Sequence, residues 1–298
     1  MITFNAINHA YPGEAEQALT DLSLEFGDST VTALVGPNGS GKTTLMQILA
    51  GLLPPSSGSV SINGTETGPN DLLGYSVMAS SDRDFDNSSA SALVAYASLR
   101  PTWDQQLFDH YAQRFGFQMK RRKTVRKMSS GQAAILTGAI ALASGAPITV
   151  LDEIQAPLDV PTRYAFYEEL LTLAADAMEG RRPRRTFLIS SHMVSELENV
   201  AEDVVALKNG RLLAHESVET FTSRICAITG NAADVESFLV DHPGLGVITT
   251  RTLGSAREIV VDLRDRGITD REIASHNLTL SPCTFQDAFA YLIQENDQ

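Results

Sequence analysis

Apolar positions along this chain follow two periods, and the switches between them mark its elements. Near the start, Ile2 and Phe4, then Leu22, Leu24 and Phe26, sit two apart, the period of a strand with one face buried. The run Val31-Thr32-Ala33-Leu34-Val35 reads as a buried strand, and Leu45, Ile48 and Leu49 give a helical face after it. A further alternating segment spans 57–64, so a β layer flanks the buried strand in sequence on both sides. From about 90 to 143 the spacing turns helical, through Leu93, Tyr96 and Ala97, then Leu107, Phe108, Tyr111 and Phe115, then Ile135, Leu136, Ala139 and Ile140. Parallel-sheet strands resume at 148–151, 186–189 and 204–207, separated by helical stretches near 164–177 and 194–200. This alternation predicts a doubly wound α/β core with a helical insert at about 85–145. Short strands at 246–248 and 259–261 and a helix at 285–293 predict a small α+β appendage, so two domains are expected, 1–223 and 224–298.

Between the buried strand and its helix lies Gly36-Pro37-Asn38-Gly39-Ser40-Gly41-Lys42-Thr43-Thr44, which fits G-x-x-x-x-G-K-[ST]. Glycines let the backbone curl around an anion with N–H groups inward. The helix N-terminus adds about half a positive charge and Lys42 a full one, while the Thr43 hydroxyl is placed to ligate a magnesium ion. Two later strand ends carry acid–base groups. Asp152-Glu153 closes the strand at 148–151, where Asp152 can hold magnesium through water and Glu153 can act as general base. His192 follows Ile189-Ser190-Ser191 at the next strand end, again at the ligand-binding edge of such a sheet.

Bulk properties narrow the classes. The formal net charge of -13 over 298 residues argues against a general nucleic-acid binder, which needs a basic face to displace counterions. No apolar run approaches the roughly 20 residues needed to span a bilayer, and Met1-Ile2-Thr3-Phe4-Asn5 lacks the basic region and apolar core of a signal peptide, so a cytosolic protein is expected. The two cysteines, Cys226 and Cys283, have no metal-ligand spacing and are expected to be reduced, buried thiols. The basic runs at 120–127 and 181–185 are expected to be solvated loops.

From residue 1 to about 221 the order of these motifs resembles the ATP-binding subunits of ABC transporters. Tyr11 matches the aromatic residue that stacks on adenine in that family, and Gly36 through Thr44 match its phosphate loop. Met128-Ser129-Ser130-Gly131-Gln132 look like the signature that opens a helix and grips the γ-phosphate of the partner subunit's ATP. Asp152 and Glu153 match the magnesium-site Asp and the catalytic Glu, Leu158-Asp159 the end of the loop that communicates across the dimer, and His192 the switch histidine. The segments Arg100-Pro101-Thr102-Trp103-Asp104, Phe115-Gly116-Phe117 and 191–197 look like the YtrB-like branch, thought to serve exporters.

There are departures. Ser130 replaces a glycine, Ile154-Gln155-Ala156-Pro157 replace the usual Pro-Thr-x-Gly, and no glutamine occurs at 74–83, where the family has one that ligates magnesium. In that stretch the Asp82 carboxylate suits a hard cation and the Met78 thioether does not, so Asp82 is the candidate replacement, with a solvated loop as the alternative. The resemblance implies a P-loop NTPase core with an antiparallel β layer and an inserted helical subdomain, binding ATP and Mg2+. It also implies a homodimer or heterodimer of cassettes that powers an integral-membrane transporter subunit from the inner face of the cell membrane, with no nucleic-acid partner. A soluble cassette acting in translation, repair or regulation, or a nucleotide-gated module with degraded catalysis, remains an alternative.

Overall fold

A computed structural model describes the chain except for residues 15, 28–29, 82–86, 118–123, 265–266 and 296–298. The chain divides into two compact units, one formed by Met1–Met193 with Asn199–Ala214, the other by Val194–Glu198 with His215–Gln298. In chain order the elements begin with β1 (Ile2–His9), β2 (Leu19–Phe26), β3 (Val31–Val35), α1 (Lys42–Leu49), β4 (Ser57–Ile62), β5 (Thr65–Glu66), α2 (Pro69–Tyr75) and β6 (Ser76–Ser80). They continue with α3 (Ala90–Ala97), α4 (Gln105–Arg114), α5 (Ser130–Ala143), β7 (Ile148–Asp152), α6 (Val160–Met178), β8 (Thr186–Ser190), α7 (Val194–Leu197), β9 (Asp203–Lys208) and β10 (Arg211–Ser217).

The alternating strands and the continuously apolar ones sort into separate sheets. β1, β2, β4 and β5 form an antiparallel sheet ordered β2-β1-β4-β5. A six-stranded sheet is ordered β10-β9-β3-β8-β7-β6, and β9, β3, β8, β7 and β6 run parallel in it. Every residue of β3, β7 and β8 is buried, as expected for parallel strands covered on both faces. One apolar cluster joins Phe4 and Phe26 of the antiparallel sheet, Leu45 and Ile48 of α1, and Val150, Leu188 and Val205 of the parallel sheet. Because the parallel strands share a direction, β3, β6, β7 and β8 all end at one edge. In register, Ser80 faces Asp152 and Asp152 faces Ser190.

The expected helical insert is present as α3, α4 and α5. Two local features were not anticipated. Helix α2 begins on Pro69, and Arg100 caps its end by donating to the carbonyls of Leu73 (2.7 Å), Gly74 (3.2 Å) and Ser76. The run at 181–185 is a loop exposed at Arg181, Pro183 and Arg184, and its last residue departs from the expectation. Arg185 is buried and donates to the Ala141 and Leu142 carbonyls, both at 2.6 Å, and to Thr149 Oγ1 at 2.9 Å. The guanidinium satisfies the Leu142 carbonyl at the end of α5 and shares the Ala141 carbonyl with the N–H and hydroxyl of Ser144. Arg182 pairs with Asp104 and Arg181 with Asp176.

The second unit includes α7 and continues through α8 (Val218–Arg224), β11 (Ile225–Asn231), α9 (Ala232–Asp241), β12 (Gly246–Leu253), β13 (Ala256–Asp262), α10 (Asp270–Ser275), β14 (Thr279–Pro282) and α11 (Phe285–Glu295). From β11 to β14 the order is βαββαβ, and the antiparallel sheet runs β12-β13-β11-β14, the split ferredoxin-like arrangement. Ile228, Val235, Phe238, Ile259, Val261, Ile273 and Leu278 form its core. Cys226 and Cys283 are free thiols, Cys226 buried and Cys283 half-buried. Among the described residues no helix is long and apolar enough to cross a membrane.

Candidate functional site

The phosphate loop connects β3 to α1, and its shape depends on two glycines with positive φ, Gly39 at 78° and Gly41 at 98°. At Gly41 a Cβ would also lie 2.5 Å from the Ala18 carbonyl, so only glycine fits there. The loop is tied in by Ser40, whose N–H donates to the Pro37 carbonyl and whose carbonyl accepts from the Gly210 N–H, both at 3.1 Å. Lys42 folds back over the loop and donates to the carbonyls of Gly36 (2.7 Å) and Pro37 (3.1 Å). Burial pulls its ammonium below the usual lysine range, while the Glu153 and Asp152 carboxylates act in the opposite direction.

The adjacent strand ends supply the acidic half. Thr43 Oγ1 donates to Asp152 Oδ2 at 3.1 Å, bringing together two hard oxygens suited to Mg2+. Glu153 follows at φ 54°, a left-handed conformation that is uncommon outside glycine and strained where a side chain must be aimed. Its Oε2 accepts the His192 N–H at 3.2 Å, and its Oε1 lies 3.3 Å from His192 Nε2. Burial pushes the Glu153 carboxyl above the usual carboxylate range and nearby Asp152 adds to the rise, whereas His192 and Lys42 pull it back. Behind these groups Ser190 is fully buried. Its hydroxyl donates to Asp152 Oδ1 at 2.6 Å and accepts the Glu153 N–H at 3.1 Å.

These residues line one cavity of about 520 Å³, within the size range of small-molecule sites. Asn38, Gly39, Ser40, Gly41, Lys42, Thr43 and Thr44 form one wall, and Asp152, Glu153 and His192 the other. Tyr11 stands at its rim, its hydroxyl 3.1 Å from Thr44 Oγ1 and its ring edge-on to His9 at 4.9 Å. Of the residues read from the sequence, Gly36 and Pro37 lie at the base of the loop as Lys42 acceptors, and Gly36 has no room for a Cβ, which would sit 2.4 Å from Ser40 Oγ. Sequence reasoning missed Glu14, Glu16, Gln17 and Ala18 in the wall. The only signal pointing to them was their closeness to Tyr11 along the chain.

The signature residues are elsewhere. Ser129 caps α5 in a reciprocal box with Gln132, each side chain bonded to the other's N–H at 3.1 and 3.3 Å. Ser129, Ser130 and Gln132 are exposed, Gly131 is half-buried, and none of the four lines the cavity. A Cβ on Gly131 would lie 2.9 Å from the Pro157 carbonyl, in the loop that follows Glu153. Asp82, the candidate replacement for the missing glutamine, lies outside the described residues. Among the described residues no cluster of three or more His, Cys, Asp or Glu side chains forms a metal-binding group.

A family model described as ABC transporter matches residues 19–156, a span that runs from β2 through the phosphate loop and signature to just past Glu153. The chain carries an ABC transporter ATPase cassette. The cassette is 30% identical over 224 residues to the phospholipid-transporting ATPase ABCA7 of Homo sapiens, a match covering 71% of this chain and 10% of that protein. It is also 30% identical over 232 residues to the ATP-dependent lipid A-core flippase of Xylella fastidiosa, covering 72% of this chain and 37% of that one. The chain thus spans well under half the length of these relatives. Among solved structures, an ATP-binding subunit of an ABC transporter superposes with TM-score 0.64 at 20% identity, covering 75% of this chain and 92% of the other. A dimeric ATP-binding cassette bound to ADP and Pi superposes with TM-score 0.62 at 18% identity, covering 73% and 99%. These likenesses show a shared cassette fold.

Proposed function

We propose that this cassette binds Mg-ATP in the 520 Å³ cavity, hydrolyses it between two cassettes, and so powers a separate membrane-spanning exporter subunit. The observation that carries this reading is the convergence of Lys42, Thr43, Asp152, Glu153 and His192 on that cavity. Lys42 and the inward N–H groups of the loop bind the β- and γ-phosphates, and Tyr11 at the rim stacks on the base. Thr43 and Asp152 would hold Mg2+, which when bound neutralises charge on the phosphate oxygens. Glu153 orients the attacking water and takes its proton, helped by a carboxyl that burial makes more basic. His192, whose N–H already steadies Glu153, presents its ring to the γ-phosphate.

The exposed signature at Ser129, Ser130, Gly131 and Gln132 is free of this cavity, which supports its use on the nucleotide of a second cassette, identical or related. The net charge of -13 argues against a general nucleic-acid binder. The flippase and phospholipid-transporting relatives favour export, with the cassette peripheral on the inner face of the membrane. Glu153→Gln is expected to lower ATP hydrolysis by about 10²- to 10⁴-fold while preserving ATP binding; a variant with native turnover would refute the assignment. Purification from detergent-solubilised membranes is expected to recover a stoichiometric polytopic chain, and recovery with ribosomes instead would move the reading to a soluble cassette.

A further inference from the structure

Ser190 and Gln155 have been given no role in the proposed function, yet they connect the two strand ends that carry Glu153 and His192. Ser190 stands opposite Asp152 in the parallel register of β7 and β8 and is fully buried. Its hydroxyl accepts the Glu153 N–H at 3.1 Å, so its proton is directed to Asp152 Oδ1 at 2.6 Å. That arrangement leaves Asp152 Oδ2 facing Thr43. Gln155, also fully buried, donates its Nε2–H to the Ser190 carbonyl at 2.8 Å. Its own carbonyl accepts the Leu158 N–H at 3.0 Å, which holds the turn that begins at Glu153. Gln155 Oε1 is buried without a hydrogen-bond partner, an unfavourable arrangement for packing alone.

We propose that Ser190 and Gln155 are positioning residues for hydrolysis: Ser190 sets the Asp152 carboxylate and the left-handed turn at Glu153, and Gln155 locks that turn to the strand end leading into His192. The departure of 154–157 from the family pattern then has a role, since a glutamine spans from the turn to the β8 carbonyl. Without the Ser190 hydroxyl, Asp152 Oδ1 loses its donor and the Glu153 N–H its acceptor. The carboxylate can then rotate away from Thr43, and the turn can relax from a conformation it does not favour. Ser190 reaches the phosphate loop only through Asp152 and Thr43, so the Lys42 end of the loop, which holds the Gly36 and Pro37 carbonyls, keeps its own hydrogen bonds in either variant.

This inference rests on the ATPase reading, and the test separates the two. Calorimetry in a Glu153→Gln background measures how much Mg2+ strengthens ATP binding without turnover. Adding Ser190→Ala is expected to reduce that Mg2+-dependent gain by about tenfold, with Mg2+-free ATP affinity changed less than about twofold. In the otherwise native chain, Ser190→Ala is expected to lower kcat by about 10²-fold with little change in KM, the size expected for displaced reacting groups, and Ser190→Thr to restore most of it. Gln155→Met, which keeps the length and removes the donor, is expected to lower kcat about tenfold with KM retained. A folded Ser190→Ala protein with native kcat and native Mg2+ gain overturns the proposal. If Ser190→Ala does not fold, Gln155→Met decides, and native kcat there overturns it. If Glu153→Gln itself hydrolyses ATP normally, the ATPase reading fails instead.

Discussion

At the scale of single residues, the site depends on two backbone conformations that most side chains avoid. Gly41 needs φ 98° and a clear approach to the Ala18 carbonyl. Gly41→Ala is expected to weaken ATP binding by at least about tenfold, since the left-handed penalty of about 1–2 kcal/mol adds to a backbone clash; fluorescence titration with an ATP analogue checks it, and native affinity would show that the loop does not form the site. Glu153 adopts a comparable φ of 54° with a full side chain. There the Ser190 hydroxyl and the turn hydrogen bond from the Ala156 N–H to the Glu153 carbonyl at 3.1 Å hold it in place. The identities of Gly41, Lys42 and Glu153 were legible in the sequence because a phosphate loop and a strand-terminal acid are local patterns. Ser190 was not legible as a partner, since nothing in Ile189-Ser190-Ser191 marks which serine faces the neighbouring strand end.

At the scale of elements, side chains at helix ends do work that composition hid. Arg185 satisfies two terminal carbonyls of α5 and the Thr149 hydroxyl from a fully buried position, and burial lowers its pKa to about 10. Arg185→Met keeps the apolar stem and removes all three donors, so it is expected to destabilise the chain by about 3 kcal/mol. Urea unfolding would register this as a lower midpoint at unchanged slope, and a midpoint equal to native would return Arg185 to the status of a loop residue. Between α9 and α10, His276 Nδ1 faces the Glu272 carbonyl at 3.1 Å and its Nε2 faces Asp241 Oδ2 at 3.0 Å. His242 makes the mirrored contacts, to the Phe238 carbonyl and to Glu272 Oε1, with the two rings 6.2 Å apart.

A carbonyl and a carboxylate both accept, so His276 is best served by protons on both nitrogens, and the Asp241 hydrogen bond raises its pKa. A raised histidine stabilises fully below its ordinary pKa of about 6.5 and loses that contribution as pH rises through the raised value. Thermal unfolding is therefore expected to shift downward as pH climbs above about 6.5, and His276→Gln to remove that part of the dependence; an identical pH profile in the variant would contradict it. None of this was visible along the chain. His242 and His276 are 34 positions apart and come together only because α9 and α10 both belong to the second unit.

At the scale of the whole molecule, the two groups of residues that the proposed function assigns to ATP lie apart in one chain. The phosphate loop, Asp152, Glu153 and His192 share a cavity, while the exposed signature at the start of α5 lies outside it. On the proposed function the cavity closes against a second cassette, so Glu153→Gln with Mg-ATP is expected to sediment at twice the mass of the nucleotide-free chain or of Lys42→Ala. A Glu153→Gln protein that stays monomeric at saturating nucleotide, with no second cassette type present, would point to a heterologous partner. The second unit, with its own core and βαββαβ order, presents a complete small fold rather than an extension of the cassette sheet.

The sequence by itself determined the strand, loop and helix from Val31 to Leu49, the acidic strand end at Asp152-Glu153, the helical insert and the existence of an α+β appendage. These follow from periodicity and from chemistry packed into a few consecutive residues. Only the tertiary structure decided that Asp152 would face Ser190, that Arg185 would lie under the carbonyls of α5, and that the appendage would take the split βαββαβ order. A buried apolar strand carries no label for its neighbours. Pairing, register and the burial of a charge are settled by which combination of distant segments leaves the fewest polar groups unsatisfied, and no local stretch contains that comparison.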